Sequence, residues 1–276
     1  MQNLQDERAL AINLATRGGE AIQEVLEVRK AIQRRWSTER RTELKTHIDL
    51  TVDRIVRDGI QSAFPNDAIL SEESAFREGT SGRVWVVDSI DGTLNLQGPL
   101  FGMFAVCIAI TEGGIPDLGV AYSPNVQTGQ GGRIWIGEKE KQSLYSPDYP
   151  KIGPTEIHVS DCHIRNQAIG GFDSGKHHRT AVYPYLQKLE HDTEGVTCLY
   201  RIASASRSLL AVATGDWDFY GATSLEPEDM AAAVPILQGA GAVVTTIDGR
   251  PWTIDEPSIL AANPVLHKDL LQYLNS

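Results

Sequence analysis

The chain has 276 residues, 41% of them hydrophobic, with a formal net charge of −11. That is enough apolar material for a substantial core in one large or two closely joined domains, and the acidic balance argues against non-specific binding of a nucleic-acid backbone. No apolar run approaches the roughly twenty residues that span a bilayer, and the chain opens on polar Met1-Gln-Asn-Leu-Gln-Asp6, so no membrane partner and a cytoplasmic location are expected.

In chain order, residues 3–33 read as a helix, with Leu10, Leu14, Ala21 and Val25 recurring near helical spacing. The basic run Arg34-Arg-Trp-Ser-Thr-Glu-Arg-Arg41 is either an element reaching toward a phosphate or a solvated connection, the latter being the usual fate of a charge run. A second helix is expected over 49–64. A short apolar stub then ends in acidic residues, Ile69-Leu-Ser-Glu-Glu73. The strand Trp85-Val-Val87 follows, running into Asp88-Ser-Ile-Asp-Gly-Thr93, where Gly92 permits a tight turn. Strands are predicted over 104–111, 118–122 and 133–137.

Residues 145–154, rich in Pro, Ser, Asp and Gly, mark the expected boundary between an N-terminal α+β metal-binding domain (1–150) and a C-terminal α/β domain (151–276) that completes the active site. In the second half, strands are predicted at 167–172, 196–201, 217–222 and 242–247. Helices are predicted at 180–191, at 206–214 and from Asp229 onward, with Pro235 kinking or shortening the last. Pro227 suits a first helical turn and places Asp229 near its start. His177-His178 lacks partners at ligand spacing and reads as a surface loop. Cys107, Cys162 and Cys198 are odd in number and widely spaced, so they read as reduced thiols.

Two carboxylates close together raise each other's pKa unless a cation compensates them. Asp88 and Asp91, with Glu72 and Asp229 as further candidates, therefore suggest a site for a hard divalent cation. The absence of His and Cys from the set favours magnesium, or manganese, over zinc. Each piece has a plainer explanation taken alone: a capping and a turn aspartate, a solvated glutamate pair, a first-turn acidic residue.

In these residues the chain resembles the inositol monophosphatase family, within the magnesium-dependent, lithium-sensitive phosphomonoesterases that include fructose-1,6-bisphosphatase and bisphosphate nucleotidases. Ser71-Glu-Glu73 resembles the family's Gly-Glu-Glu segment, Asp88-Ser-Ile-Asp-Gly-Thr93 its Asp-Pro-Ile-Asp-Gly-Thr, and Glu228-Asp-Met-Ala-Ala232 its Trp-Asp-Xaa-Ala-Ala. The stretches 45–53, 104–109, 201–205 and 240–245 extend the resemblance.

It implies a layered α-β-α-β-α sandwich, a homodimer, and two or three Mg2+ ions held by Glu72, Asp88, Asp91, Asp229 and the carbonyl of Ile90. Thr93 and Asp53 would orient the attacking water, with Glu72 also in the catalytic set. Gly92 and Thr93 would receive the phosphate through backbone N–H groups, and Ser204, Ala205 and Ala222 would line the substrate. The implied activity is hydrolysis of a small polyol or sugar phosphate, with inositol 1-phosphate as default.

The departures bear on substrate. Ala222 stands where many inositol phosphatases have a glutamate that contacts substrate hydroxyls, and Glu228 stands in place of tryptophan, either to hold a cation or basic group or simply as an exposed acidic residue. Ser89 replaces proline, and the 45–53 stretch is shortened. Rival substrates are fructose 1,6-bisphosphate, 3′-phosphoadenosine 5′-phosphate, histidinol phosphate and an amino-cyclitol phosphate. A rival of another class is a non-catalytic binding or scaffolding protein with this fold.

Overall fold

The computed structural model describes residues 4–32, 38–96, 102–175, 178–191 and 193–276. Residues 34–37 of the basic run and His177 lie outside them. The chain opens with two long helices, α1 (Gln5–Ile32) and α2 (Thr38–Ala63). Helix α2 begins well before the expected start at residue 49, so the end of the basic run is helical and not a connection.

Next come β1 (Ala68–Ser71), β2 (Ser74–Arg77), β3 (Arg83–Asp91), β4 (Ala105–Glu112), β5 (Ile115–Pro124), β6 (Gly132–Glu138), β7 (Leu144–Tyr149) and β8 (Thr155–Glu156). They form an eight-stranded sheet in the order β2-β1-β3-β4-β5-β6-β7-β8. The Pro- and Asp-rich stretch 145–154 carries most of β7, because Pro and Asp can be tolerated toward the edge of a sheet, where fewer ladder bonds are demanded.

The remaining strands are β9 (Ile169–Ser174), β10 (Cys198–Tyr200), β11 (Phe219–Thr223), β12 (Val243–Thr245) and β13 (Ile259–Ala262), ordered β10-β9-β11-β13-β12 in a second sheet. Helices α3 (Tyr183–Leu189), α4 (Ala205–Ala213), α5 (Pro227–Met230), α6 (Ala233–Gly239) and α7 (Pro264–Leu274) complete the fold. The expected single helix from Asp229 is divided into α5 and α6, with Pro235 in the first turn of α6, where a missing N–H costs nothing. Both β13 and α7 lie beyond the last predicted element, although Asn263 caps α7 and Pro264 occupies its first turn.

Burial alternates along the strands and defines the layers. Trp85, Val87, Val106 and Ile108 pack with Leu14 and Ile22 of α1 and Val52 and Val56 of α2. Val86, Ala105, Cys107 and Ala109 face the other way and pack with α4, α6, Tyr220 and Ala222. Phe172, Phe219 and Leu260 cover the far side of the second sheet with Leu189 of α3 and Leu266 and Leu270 of α7. The result is the expected α-β-α-β-α sandwich. Strands buried on both faces read as continuous apolar runs, which is why the sequence displays them so clearly. Among the described residues no helix is long and apolar enough to cross a membrane.

Helix α6 lies directly on the backbone of the first sheet. Gly119 and Gly137 are partners across β5 and β6. A Cβ at Gly119 would meet the Ala232 carbonyl oxygen at 2.0 Å, and one at Gly137 would meet the Ile236 nitrogen at 2.3 Å. Neither obstacle is a side chain that can swing away. Gly137→Ala should therefore cost about 2–3 kcal/mol and lower the melting temperature by roughly 4–10 °C. Gly153→Ala, where the added carbon meets nothing within 4 Å, serves as the control and should melt near the parent.

Candidate active site

Asp88 and Asp91 lie three positions apart on β3, a spacing that in a regular strand puts side chains on opposite faces. The register with β4 resolves the problem. Asp88 pairs with Cys107 and Asp91 with Ala105, so β3 carries one residue more than its partner between these points. That bulge turns both carboxylates toward one side. The sequence places both aspartates beyond the strand's end, whereas β3 runs through Asp91.

Gly92 then turns the chain with φ +81°. A Cβ there would lie 2.7 Å from the Met103 carbonyl oxygen and 2.8 Å from Ser204 Cβ. The 3-10 turn Thr93–Leu96 follows. It is pinned by Asn95, whose Nδ2 donates to the carbonyls of Met103 and Ile202, each at 2.7 Å.

Asp91 is seated on the start of α4. Its Oδ2 accepts from the Ser204 hydroxyl, from the Ser206 N–H at 2.9 Å and from the Ser206 hydroxyl at 2.5 Å. Ser204 is also the α4 N-cap, its oxygen accepting from the Arg207 N–H. An anion at a helix start is favoured by the orphan N–H groups and the macrodipole. Ala203, just before the cap, has φ +54°, a left-handed conformation that costs a residue with a Cβ about 1–2 kcal/mol.

Asp229 arrives from the other half. It sits in the third position of α5, where its Oδ2 accepts from the Glu226 N–H at 3.0 Å in a capping box. Asp88, Asp91 and Asp229 each offer a carboxylate oxygen, and these lie within 4.8 Å of one another. Glu72 is not in this tight group. It is exposed on the turn after β1, which the parallel pairing of β1 with β3 sets beside Asp88.

Thr93 and Asp53 engage different partners. The Thr93 hydroxyl donates to the Ile90 carbonyl at 2.9 Å. Asp53, buried on α2, accepts from the hydroxyls of Ser71 and Ser74. Ala222 is fully buried, Ala205 is 8% exposed, and Ser204 is turned inward to Asp91. Ser206 and Asn95 were not among the sequence candidates. The Ser204-Ala-Ser206 pattern before an apolar helix was the available signal for the cap.

The electrostatics fit a cation site. Burial, then the charges of Asp91, Asp229 and Glu72, push the Asp88 carboxyl well above its ordinary range. Burial also raises Asp91, against the opposing hydrogen bonds from Ser204 and Ser206. Asp88 Oδ1 accepts from the Ile90 N–H at 2.9 Å, while Asp88 Oδ2 is buried without a hydrogen-bond partner. A buried carboxylate oxygen left bare in an all-oxygen cluster is the donor set of a hard divalent cation.

Known proteins are similar to this chain over most of its length. The family model described as the inositol monophosphatase family matches residues 3–276. A fructose-1,6-bisphosphatase/inositol-1-monophosphatase of Thermotoga maritima is 26% identical over 233 residues, 84% of this chain and 83% of that protein. An inositol-1-monophosphatase of Bacillus subtilis is 28% identical over 244 residues, 85% and 84% of the two chains. The solved inositol monophosphatase of Anabaena superposes with a TM-score of 0.81 at 25% identity, covering 99% of this chain and 97% of that one.

Ala203→Gly removes the left-handed strain at the cost of some unfolded-state entropy, for a net gain of about 0.5–1 kcal/mol visible in a thermal melt. For Asp88 the folded state raises the pKa, so its contribution to stability is present below the unfolded value of about 3.9 and is lost as pH rises through the folded value. In chelator-treated protein Asp88→Asn should thus be more stable than the parent at about pH 7, by roughly 1–3 kcal/mol. The advantage should shrink toward about pH 4.

Proposed function

The chain belongs to the inositol monophosphatase family, and from that premise we propose that it is a Mg2+-dependent phosphomonoesterase of small polyol or sugar monophosphates, with inositol 1-phosphate as reference substrate. The observation that carries the reading is the convergence of Asp88, Asp91 and Asp229 with a bare buried oxygen on Asp88.

In the proposed reaction water attacks phosphorus, the bond from phosphorus to the ester oxygen breaks, and the alcohol leaves with a proton, giving inorganic phosphate. Asp88, Asp91 and Asp229, with Glu72 and the Ile90 carbonyl at the margin, would hold Mg2+ in two or three positions, Mn2+ being an alternative. When bound, such ions polarise the phosphoryl oxygens and lower the pKa of water.

The protein's own groups do the positioning. Gly92 and Thr93 offer backbone N–H groups to the phosphate at a turn that tolerates close approach. Thr93 has its proton committed to the Ile90 carbonyl, so its oxygen is oriented to accept a hydrogen bond from the attacking water. Asp53 acts at one remove, holding Ser71 and Ser74 on either side of the Glu72 turn.

Glu228 is a partly buried carboxyl raised by burial and then by Glu226 and Glu72, which adds negative charge beside the site and keeps an amino-sugar phosphate among the substrates worth testing. A homodimer and a cytoplasmic location complete the proposal, both by family expectation, and lithium inhibition goes with them.

Magnesium-dependent phosphate release should be measured on inositol 1-phosphate, fructose 1,6-bisphosphate, 3′-phosphoadenosine 5′-phosphate, histidinol phosphate and amino-sugar phosphates. Asp91→Asn is expected to lower kcat by at least about a hundredfold while remaining folded, because a charged ligand for the cation is lost while an amide oxygen can still accept from Ser204 and Ser206. A protein that binds Mg2+ yet releases phosphate from none of these would defeat the reading.

A further inference from the structure

The second sheet presents a feature the metal cluster does not use. Strands β9, β10 and β11 are parallel neighbours, and ligands in α/β sheets gather at the carboxyl ends of such strands. The chain leaves that edge of β11 and enters α5, which carries Asp229. The carboxyl edge of β9 and β11 therefore adjoins the cation site.

At this edge Asp173 of β9 is the register partner of Ala222 of β11. Phe172 packs on the outer side of the sheet with α3 and α7, so by strand alternation Asp173 faces inward, on the same face as Tyr220 and Ala222. Ala222 supplies no polar atom, and the carboxylate next to it does. Asp173 is mostly buried, its side chain 14% exposed, and Oδ1 accepts from Arg201 Nε at 2.7 Å. The Tyr220 hydroxyl also acts on this carboxylate as a donor.

Tyr220 links this carboxylate to the cation site. Its ring is fully buried, its hydroxyl lies close enough to Asp173 to act on it as a donor, and the charges that reach it are those of Asp173, Asp91 and Asp229. The hydroxyl and the carboxylate thus stand side by side, and the carboxylate keeps acceptor capacity beyond Arg201 and Tyr220, because its two oxygens offer about four lone-pair sites. Buried polar atoms of this kind are completed by a ligand or by water.

We propose that Asp173, held by Arg201, is the specificity-determining acceptor for a hydroxyl of the substrate's alcohol portion, doing from β9 what a carboxylate at position 222 would do from β11. The inference rests on the phosphatase reading above and adds to it the chemistry of the leaving group. The Asp173–Arg201 pair is neutral overall and the guanidinium repels a second cation, so the preferred donor is a neutral hydroxyl and not an amine. The substrate is then a polyol monophosphate with a hydroxyl placed to reach past the ester oxygen. Arg201 is a positioning residue that keeps the carboxylate ionised and turned.

The test compares parent, Asp173→Asn and Asp173→Ala on inositol 1-phosphate and on 4-nitrophenyl phosphate, whose leaving group carries no hydroxyl donor. For inositol 1-phosphate kcat/KM should fall by about tenfold or more in both variants, mainly through KM, while 4-nitrophenyl phosphate changes by less than about threefold. Equal losses on the two esters, or no loss on either, would overturn the proposal. Thermal melts of both variants check that the fold survives, and the near-isosteric Asp173→Asn decides if Asp173→Ala does not fold.

A second readout is independent of turnover. Calorimetry on Ca2+-loaded protein should show the parent binding inositol 1-phosphate more tightly than inorganic phosphate, with that preference lost in Asp173→Asn. If the parent hydrolyses neither ester, the phosphatase reading fails while the calorimetry still decides on Asp173. A parent with no preference for the ester removes the proposal.

Discussion

The constraint on which the rest depends is the seating of Asp91 on the start of α4. Three donors from Ser204 and Ser206 converge on one carboxylate oxygen, across 113 residues of sequence for Ser204 and 115 for Ser206. This contact locks the bulged end of β3 to the helix layer between the sheets. It also explains two costly features beside it. Position 92 must be glycine, because the chain turns there with positive φ and the Met103 carbonyl and Ser204 leave no room for a Cβ. Ala203 accepts a left-handed conformation because the chain has to enter α4 with Ser204 already at the cap.

Strain of this kind is stored where geometry matters more than stability. Asp88 shows the same principle in electrostatic form. Its carboxyl is raised by burial and by three neighbouring acids, an arrangement that a folded chain tolerates only if something else gains from it. Arg207 is a buried counterpart one turn into α4. It is stacked over Trp135 at 4.5 Å, with Nε and one Nη lacking hydrogen-bond partners, and burial followed by Arg133 brings it down to about 10. Asp91 is among the anions that oppose that fall, so the guanidinium offsets part of the negative charge from behind the cluster and not from within it.

How far the sequence could reveal this site depends on how local each contact is. The two aspartates, the glycine and the threonine of Asp88–Thr93 were legible because they follow one another. Asp229 was legible because Pro227 announces a helix start. The double-faced burial of β3, β4 and β5 made their apolar runs plain, and the sandwich with them. The bulge was not legible, since an extra residue in β3 exists only relative to β4. Glu72 read as a ligand equal to the others, yet its turn stands outside the tight group because β1 stops before it. Asp53 looked like a partner for Thr93, and the neighbourhood of β1 and β2 gives it Ser71 and Ser74 in its place. Asp173 carries no local motif at all, and its meaning appears only through the pairing of β9 with β11.

These contrasts separate two tasks that the fold assigns to different sheets. The first sheet provides charge: β3 brings Asp88 and Asp91, and β1 brings the Glu72 turn. The second carries Asp173, Tyr220 and Ala222 on its inner face, the edge proposed for the alcohol portion. Asp229 and the α4 N-terminus are the points where the two meet, and both are helix starts, where orphan N–H groups tolerate or attract negative charge. A polar group on the second sheet can therefore be moved from one strand to the next without touching the carboxylates of the acidic cluster. The strand spacing of about 4.8 Å is small beside a six-membered ring and its hydroxyls, so an acceptor on β9 and one on β11 can serve the same bound molecule. On the proposed reading, the absence of a carboxylate at Ala222 marks a shift in where the alcohol is read, and leaves the phosphate chemistry with Asp88, Asp91 and Asp229.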